Sequence, residues 1–231
     1  MKVLAIIPAR CGSKGFPDKN IARLKNKTLL ELAVKVGVEC KIVNDVYIST
    51  DCRKYENIAL KAGAKSLGLR SKQLASDTAK SIDLIIDLIG GIKQQYDYVV
   101  LIQPTSPVRN PKDIENMIRS INEKEADASV SVSKIEDPHP YKLKNINNKG
   151  FVESFINRST SEVPRQSLPK VYALNGAFYV SKIEIILKER TLLPEKTTPY
   201  IMDININIDS EIDFIALESM VMRNKIKVFG V

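Results

Sequence analysis

A chain of 231 residues, 44% of them hydrophobic, is long enough to bury one sizeable core, and an elaborated single domain is expected rather than two independent units. The net charge of +8 raises the question of a nucleic-acid surface. However, the lysines are scattered, tryptophan is absent and aromatics do not interleave with the basic residues, so no nucleic-acid partner is expected. Cys11, Cys40 and Cys52 are odd in number and lack CxxC spacing, which argues against a disulfide framework and for a reducing, cytoplasmic setting, and no apolar segment reaches the length of a membrane span.

The apolar run at 3–7 (VLAII) has the length and branched character of a buried strand, and it breaks at once into Pro8, Gly12, Gly15 and Pro17. The loop at 8–20 carries Arg10, Ser13, Lys14, Lys19 and Asn20 on a backbone that two glycines keep free to bend around a ligand. Cations and exposed N–H groups converging at a strand end suit an anion, and a chain of phosphates needs donors spread along its length. The alternative is a solvated basic loop. The loop matches neither GxxxxGK[ST] nor GxGxxG, so neither a Walker-type NTPase nor a dinucleotide-binding dehydrogenase is indicated.

Thr28 and Glu31 form a capping box that opens a helix to about residue 37. A strand is expected at 45–50, with Asp51 capping a helix to about 62, then a short strand at 64–69 and a helix opened by Asp77 or Thr78 and stopped by Gly90 and Gly91. Residues 98–102 (YVVLI) read as a central parallel strand, and Asn110 with Pro111 as the start of the next helix. A strand at 128–133 completes an alternation that predicts a doubly wound, mostly parallel α/β sheet.

At 138–171 the rhythm changes, with a hairpin at 141–146 and 151–156 turned by NNKG. The expected organisation is an α/β domain of 1–137 and 178–231 with an inserted arm at 138–177. A strand at 171–180, a helix capped by Ser181 and Glu184, a strand at 201–208, a helix from Asp209 or Ser210 through Met222 and a strand at 226–229 close the chain.

In an open α/β sheet the ligand crevice lies at the carboxyl ends of the strands. Gln103 follows the central strand, with Thr105 and Ser106 behind it, and two prolines fix the backbone. The segment either presents the amide to a ligand or is a rigid helix entry. Arg70 and Ser81 flank a candidate helix start and suit a ribose, base or phosphate, or plain surface. Asn207 and Asp209, with Asp203, share one face if their segment is extended. Two hard oxygen ligands suit Mg²⁺, while Asp209 could instead cap the next helix. Lys142, Arg165 and Lys170 stud the arm, either solvated or gripping an acidic acceptor. His139 is given no role.

Taken in order, PARCGSKGFPDKN, RSKQLASDT, LIQPTSPVR, RQSLPKVYALNGAFYV and NINIDSEIDF resemble the acylneuraminate cytidylyltransferase family, the CMP-sialic acid synthetases, with relatives acting on other nonulosonic acids. The resemblance implies a nucleotide-diphospho-sugar transferase-like, Rossmann-type fold and a reaction in which the anomeric hydroxyl of a nine-carbon 2-keto sugar acid attacks the α-phosphorus of CTP and Mg²⁺-bound pyrophosphate leaves. It assigns Arg10, Ser13, Asn20, Arg70 and Ser81 to the nucleotide and Lys14 and Lys19 to the phosphates. Gln103, Lys142, Arg165, Asn175 and Tyr179 would border the sugar acid. The implied catalytic set is Arg10, Lys14, Lys19, Gln103 and Asp209, the metal ligands are Asp209 and Asn207, and the assembly is a homodimer joined through the arm, where Lys142 or Arg165 could serve the partner's site.

The family commonly carries DID where this chain has Asn207, Ile208 and Asp209, and the missing carboxylate is expected to weaken Mg²⁺. Leu192 and Leu193 stand where aromatics often occur in sialic acid users, which opens the choice to a modified acid such as legionaminate or pseudaminate. A cytidylyltransferase for the eight-carbon acid KDO, another sugar nucleotidyltransferase and a catalytically silent nucleotide-binding homologue are the alternatives.

Overall fold

The computed structural model describes residues 1–13, 15–156, 164–204 and 206–231, with only the backbone of Arg165. Strand β1 (Val3–Pro8) is buried on both faces, and the alternation of its side chains sorts the fold into layers. β2 (Arg23–Leu24) and β3 (Lys27–Thr28) form a small antiparallel ribbon leading into α1 (Leu29–Val38), whose Thr28–Glu31 capping box is present as expected. β4 (Asp45–Ser49) and α2 (Arg53–Lys61) follow, then α3 (Ser81–Gly91), the wholly buried β5 (Tyr98–Ile102), and α4 (Pro111–Glu123) with an Asn110–Asp113 capping box. The chain continues through β6 (Ala128–Ile135), the antiparallel pair β7 (Lys144–Ile146) and β8 (Val152–Ser154), β9 (Val171–Lys182), α5 (Ile183–Glu189), β10 (Thr197–Ile201) and α6 (Glu211–Met222).

The main sheet has six strands in the order β10-β6-β9-β5-β1-β4. β1 pairs in parallel with β4 and β5, and β10 in parallel with β6, while β9 runs antiparallel to both its neighbours. Val3, Ala5 and Ile7 join Ala33, Tyr55, Ala59, Ile114 and Met117 on the face covered by α1, α2 and α4. Leu4 and Ile6 join Ile82, Ile85, Ile183 and Ile186 on the face covered by α3 and α5. This is the doubly wound arrangement read from the sequence. A third cluster seats Leu217 and Val221 of α6 against Leu24, Leu29, Val108 and Ile208.

Several local expectations are corrected. Residues 64–69 contribute a single bridge, Lys65 to Tyr47, instead of a strand. α3 starts at Ser81, because the Asp77 carboxylate is engaged by Arg10 and does not cap a helix there. Asp51 does not cap α2; its Oδ1 accepts from the backbone N–H of Cys11. Ser181 does not cap α5 either, since its hydroxyl faces the carbonyls of Asp127 and Lys182 and the N-cap is Lys182. Pairing with β6 ends at Ile201, after which the chain leaves the sheet, so 203–208 is no strand among its described residues. Residues 226–229 are a turn region anchored by buried Val228.

Candidate active site

The site forms where β1, β4 and β5 end together. Beyond Pro8 the chain stays beside β4 through Ala9 N–H donating to the Ser49 carbonyl at 3.0 Å, and Asp51 then holds Cys11 at 2.9 Å. Asp18 adopts a left-handed backbone, with Oδ1 accepting from the buried Tyr55 hydroxyl at 2.8 Å and Oδ2 from Lys54 Nζ at 3.2 Å. Those two donors, Tyr55 first, hold its carboxyl below the usual carboxylate range. The loop is therefore fastened at both ends to α2 and its approach.

Inside the loop, Asn20 is only 5% exposed and its Nδ2 donates to the Arg10 carbonyl at 3.1 Å, closing the bend. Arg10 Nη1 meets Asp77 Oδ1 at 2.6 Å, bringing the segment before α3 over the loop. Gly15 lies so close to the Asp209 backbone that an added Cβ would stand 2.9 Å from that carbonyl oxygen, so only glycine fits without a shift. Lys19 Nζ donates to the Ile208 carbonyl at 3.0 Å and to Asp209 Oδ1 at 3.1 Å.

Arg10, Ser13, Lys19, Asn20, Arg70, Ser81, Gln103, Asn207 and Asp209 line one cleft of about 530 Å³. The backbone N–H of Arg70 donates to Thr50 O at 2.8 Å, and burial lowers its guanidinium pKa, with Asp51 opposing the shift. A cation held in reserve by burial is suited to an anion that enters and pairs with it. A second cavity of about 370 Å³ shares Ser81 and Gln103 with the first and is lined by Tyr179, Leu174, Leu192 and Leu193. Burial raises the Tyr179 phenol above its ordinary value.

Other candidates are placed elsewhere. Asn175 lines neither cavity: it is buried beneath them, with Oδ1 accepting from Ser131 Oγ at 2.6 Å and Ala177 N at 3.1 Å and Nδ2 donating to Ser133 Oγ at 3.0 Å. Lys142 is exposed on the arm and lines neither. Asp203 lines a separate cavity with Arg109, Asp113 and Tyr200, so it is not on a common face with Asn207 and Asp209. Lys14 and the Arg165 side chain lie outside the described residues.

Sequence reasoning missed Arg109. It is 5% exposed, its Nη1 donates to the carbonyls of Gln103 at 2.6 Å and Ala177 at 3.0 Å, and its guanidinium sits 5.5 Å from the Phe178 ring centroid. Burial pushes its pKa down to about 9, opposed by Asp113. It fixes the Gln103 backbone from below. The one signal for it was its position directly before the Asn110 cap, on the central strand's exit loop.

For a divalent cation, the cleft offers the carboxylate of Asp209 and the amide of Asn207; among the described residues no group of three His, Cys, Asp or Glu is arranged to hold a metal. Hard oxygen donors few in number, open to a cleft that admits phosphate, suit Mg²⁺.

The sequence pattern of the family described as cytidylyltransferase matches residues 4–225. The chain belongs to the cytidylyltransferase family. The chain is 31% identical over 231 residues to the CMP-N,N'-diacetyllegionaminic acid synthase of Legionella pneumophila, an alignment covering 97% of this chain and 98% of that one. It is 32% identical over 219 residues to the N-acylneuraminate cytidylyltransferase of Streptococcus agalactiae, covering 93% of this chain and 52% of the relative, so it spans about half that protein's length. Its fold is similar to that of CMP:2-keto-3-deoxy-manno-octonic acid synthetase complexed with CTP, with a TM-score of 0.72 at 16% identity over 97% of this chain and 100% of that one. The chain therefore has the nucleotide-diphospho-sugar transferase fold expected from its ordered motifs.

Proposed function

We propose that this chain joins CTP to a nonulosonic acid, releasing pyrophosphate. The observation that carries the proposal is a pair of cavities, one rich in cations and amides and the other partly apolar, that meet at Ser81 and Gln103. In this reading the triphosphate lies along the 8–20 loop, with Arg10, Ser13, Lys19 and Asn20 beside it and Arg70 and Ser81 toward the nucleoside. Lys14, in the same loop, is assigned to the phosphates on sequence alone.

The sugar acid occupies the second cavity, with Tyr179 along its wall and Gln103 at the junction orienting the anomeric hydroxyl toward the α-phosphorus. Bringing the two reactants into line is most of the catalysis such a transfer needs, and donors fixed on phosphate oxygens supply much of the rest. Lys19 and Arg10 answer the charge that gathers on the leaving pyrophosphate. Asp209 and Asn207 would hold Mg²⁺, which when bound neutralises phosphate charge.

Leu174, Leu192 and Leu193 give the second cavity apolar ground beside Lys80, Arg190 and Thr191, which suits an acid whose tail presents acyl or methyl groups as well as hydroxyls. The names of the Legionella and Streptococcus relatives support an acid of the legionaminate or sialate type. The arm supports a homodimer, since Ile146, Phe151, Val152 and Phe155 are exposed on it. Lys142 and Arg165 would then serve the partner's site. Three free cysteines fit a reducing, cytoplasmic setting.

CTP incubated with a panel of sialic, legionaminic, pseudaminic and KDO acids, with pyrophosphate release followed, tests the proposal. Release with a nine-carbon acid is expected, and preference for KDO would transfer the protein to that reading. Asn207 favours one further reading, a silent homologue that binds CTP and releases pyrophosphate with no acid.

A further inference from the structure

Asn207 is held at both ends of its amide. Its Oδ1 accepts from the Ser106 hydroxyl at 3.0 Å, and its Nδ2 donates to Asp209 Oδ2 at 2.7 Å. Ser106 is completely buried, and its oxygen lies 3.0 Å from a second acceptor, the Asn175 carbonyl. A serine hydroxyl has one proton, so it can serve only one of these two acceptors fully.

The competition defines two complete arrangements. In the first, Ser106 donates to Asn207 Oδ1 and the amide nitrogen faces Asp209. In the second, the amide is reversed: its nitrogen donates to the Ser106 oxygen, and the serine proton passes to the Asn175 carbonyl. The second arrangement leaves Asn207 Oδ1 facing Asp209 Oδ2, two acceptors at hydrogen-bonding distance, which is unfavourable unless a cation lies between them. An aspartate at 207 would have no such choice, since both its oxygens are acceptors. Gly176 packs against the same groups, where an added Cβ would stand 2.7 Å from Gln103 Oε1, 3.2 Å from Ser106 Oγ and 3.7 Å from Asn207 Oδ1.

We propose that Asn207 is a two-position ligand: its amide nitrogen satisfies Asp209 when no divalent cation is present, and its amide oxygen turns to the cation when one enters, with Ser106 as the positioning residue that accepts the turned nitrogen. The inference rests on the reading that the cleft takes a nucleoside triphosphate with a divalent cation. It explains how one carboxylate suffices: Asp209 stays hydrogen-bonded to Asn207 and paired with Lys19 until the cation arrives.

The test is a set of ¹H–¹⁵N spectra of the side-chain amides of the full chain, taken free, with CTP alone, and with CTP and Mg²⁺, with no sugar acid so that no transfer occurs. Loss of a signal pair in Asn207→Asp assigns Asn207. The expected result is that CTP shifts loop signals such as Gly15, and Mg²⁺ then moves the Asn207 pair and slows its exchange with water. Ser106→Ala should weaken Mg²⁺ binding in the CTP complex roughly tenfold, leaving metal-free CTP binding near wild type, and Ser106→Thr should restore it. If CTP and Mg²⁺ bind and the Asn207 pair does not move, the two-position reading is overturned and the cleft assignment stands. If CTP leaves the loop signals unmoved, the cleft assignment is overturned and the inference with it. The wild-type spectra decide the matter even if Ser106→Ala fails to fold.

Discussion

Lys19 and Asp209 lie 190 positions apart in sequence, yet Lys19 Nζ meets Asp209 Oδ1 at 3.1 Å and ties the loop after the first strand to the entry of the last helix. The Lys19 side chain is 19% exposed, while that of Asp209 is 74% exposed and open to the cleft. The pair holds a cation beside the place where phosphate charge would gather. Lys19→Met is expected to lower kcat/KM for CTP about a hundredfold or more, the scale of losing one fixed donor from a charged transition state. Steady-state kinetics at saturating sugar acid checks this.

Arg10→Ala should lower kcat/KM for CTP and leave the KM for the sugar acid near wild type, because Arg10 lines the first cavity and not the second. Wild-type kinetics in this variant would remove the loop from the site.

Gly15→Ala places a methyl 2.9 Å from the Asp209 carbonyl oxygen, so the loop or the α6 entry must move. Overpacking of this kind costs about 1–3 kcal/mol. The expected signature is a lower unfolding midpoint together with a raised KM for CTP, since a shift of either element moves a wall of the cleft.

The Tyr55–Asp18 contact predicts a dependence on pH. The Asp18 carboxyl is held below its ordinary 3.8, mainly by the Tyr55 hydroxyl and then by Lys54. A lowered carboxyl contributes stability that is fully present above its unfolded value and is lost as the pH falls through its folded one. Tyr55→Phe should therefore destabilise the protein at pH 7, modestly because the Asp18 carboxylate is half exposed and solvent-screened, and the gap from wild type should narrow as the pH falls below 3.8. Urea titrations at both ends of that range read it out. A gap independent of pH would show that lost packing, not the carboxylate contact, sets the difference.

Asn207→Asp restores a second carboxylate beside Asp209 and should lower the Mg²⁺ concentration needed for half activity, because ligand charge sets affinity at such sites. An unchanged requirement would count against metal binding at this pair.

What was legible in the sequence was local. The VLAII and YVVLI runs, the Thr28–Glu31 box and the Asn110–Pro111 start each specify their element within a few residues, and all are present. What was misread was decided at long range. Asp51 and Asp77 look like caps, but their oxygens are engaged by Cys11 and Arg10. Alternation put Asp203 with Asn207 and Asp209, yet the segment leaves the sheet after Ile201 and Asp203 goes to another cavity. Arg109 was missed because an arginine in a polar loop reads as surface, and only packing against Phe178 and two carbonyls buries it.

A crystal structure with CTP bound tests the account most directly. The predicted result is a triphosphate lying along the loop beside Arg10, Ser13 and Lys19, with its innermost phosphorus turned toward Gln103. A nucleotide bound away from this cleft, with the loop empty, would contradict it.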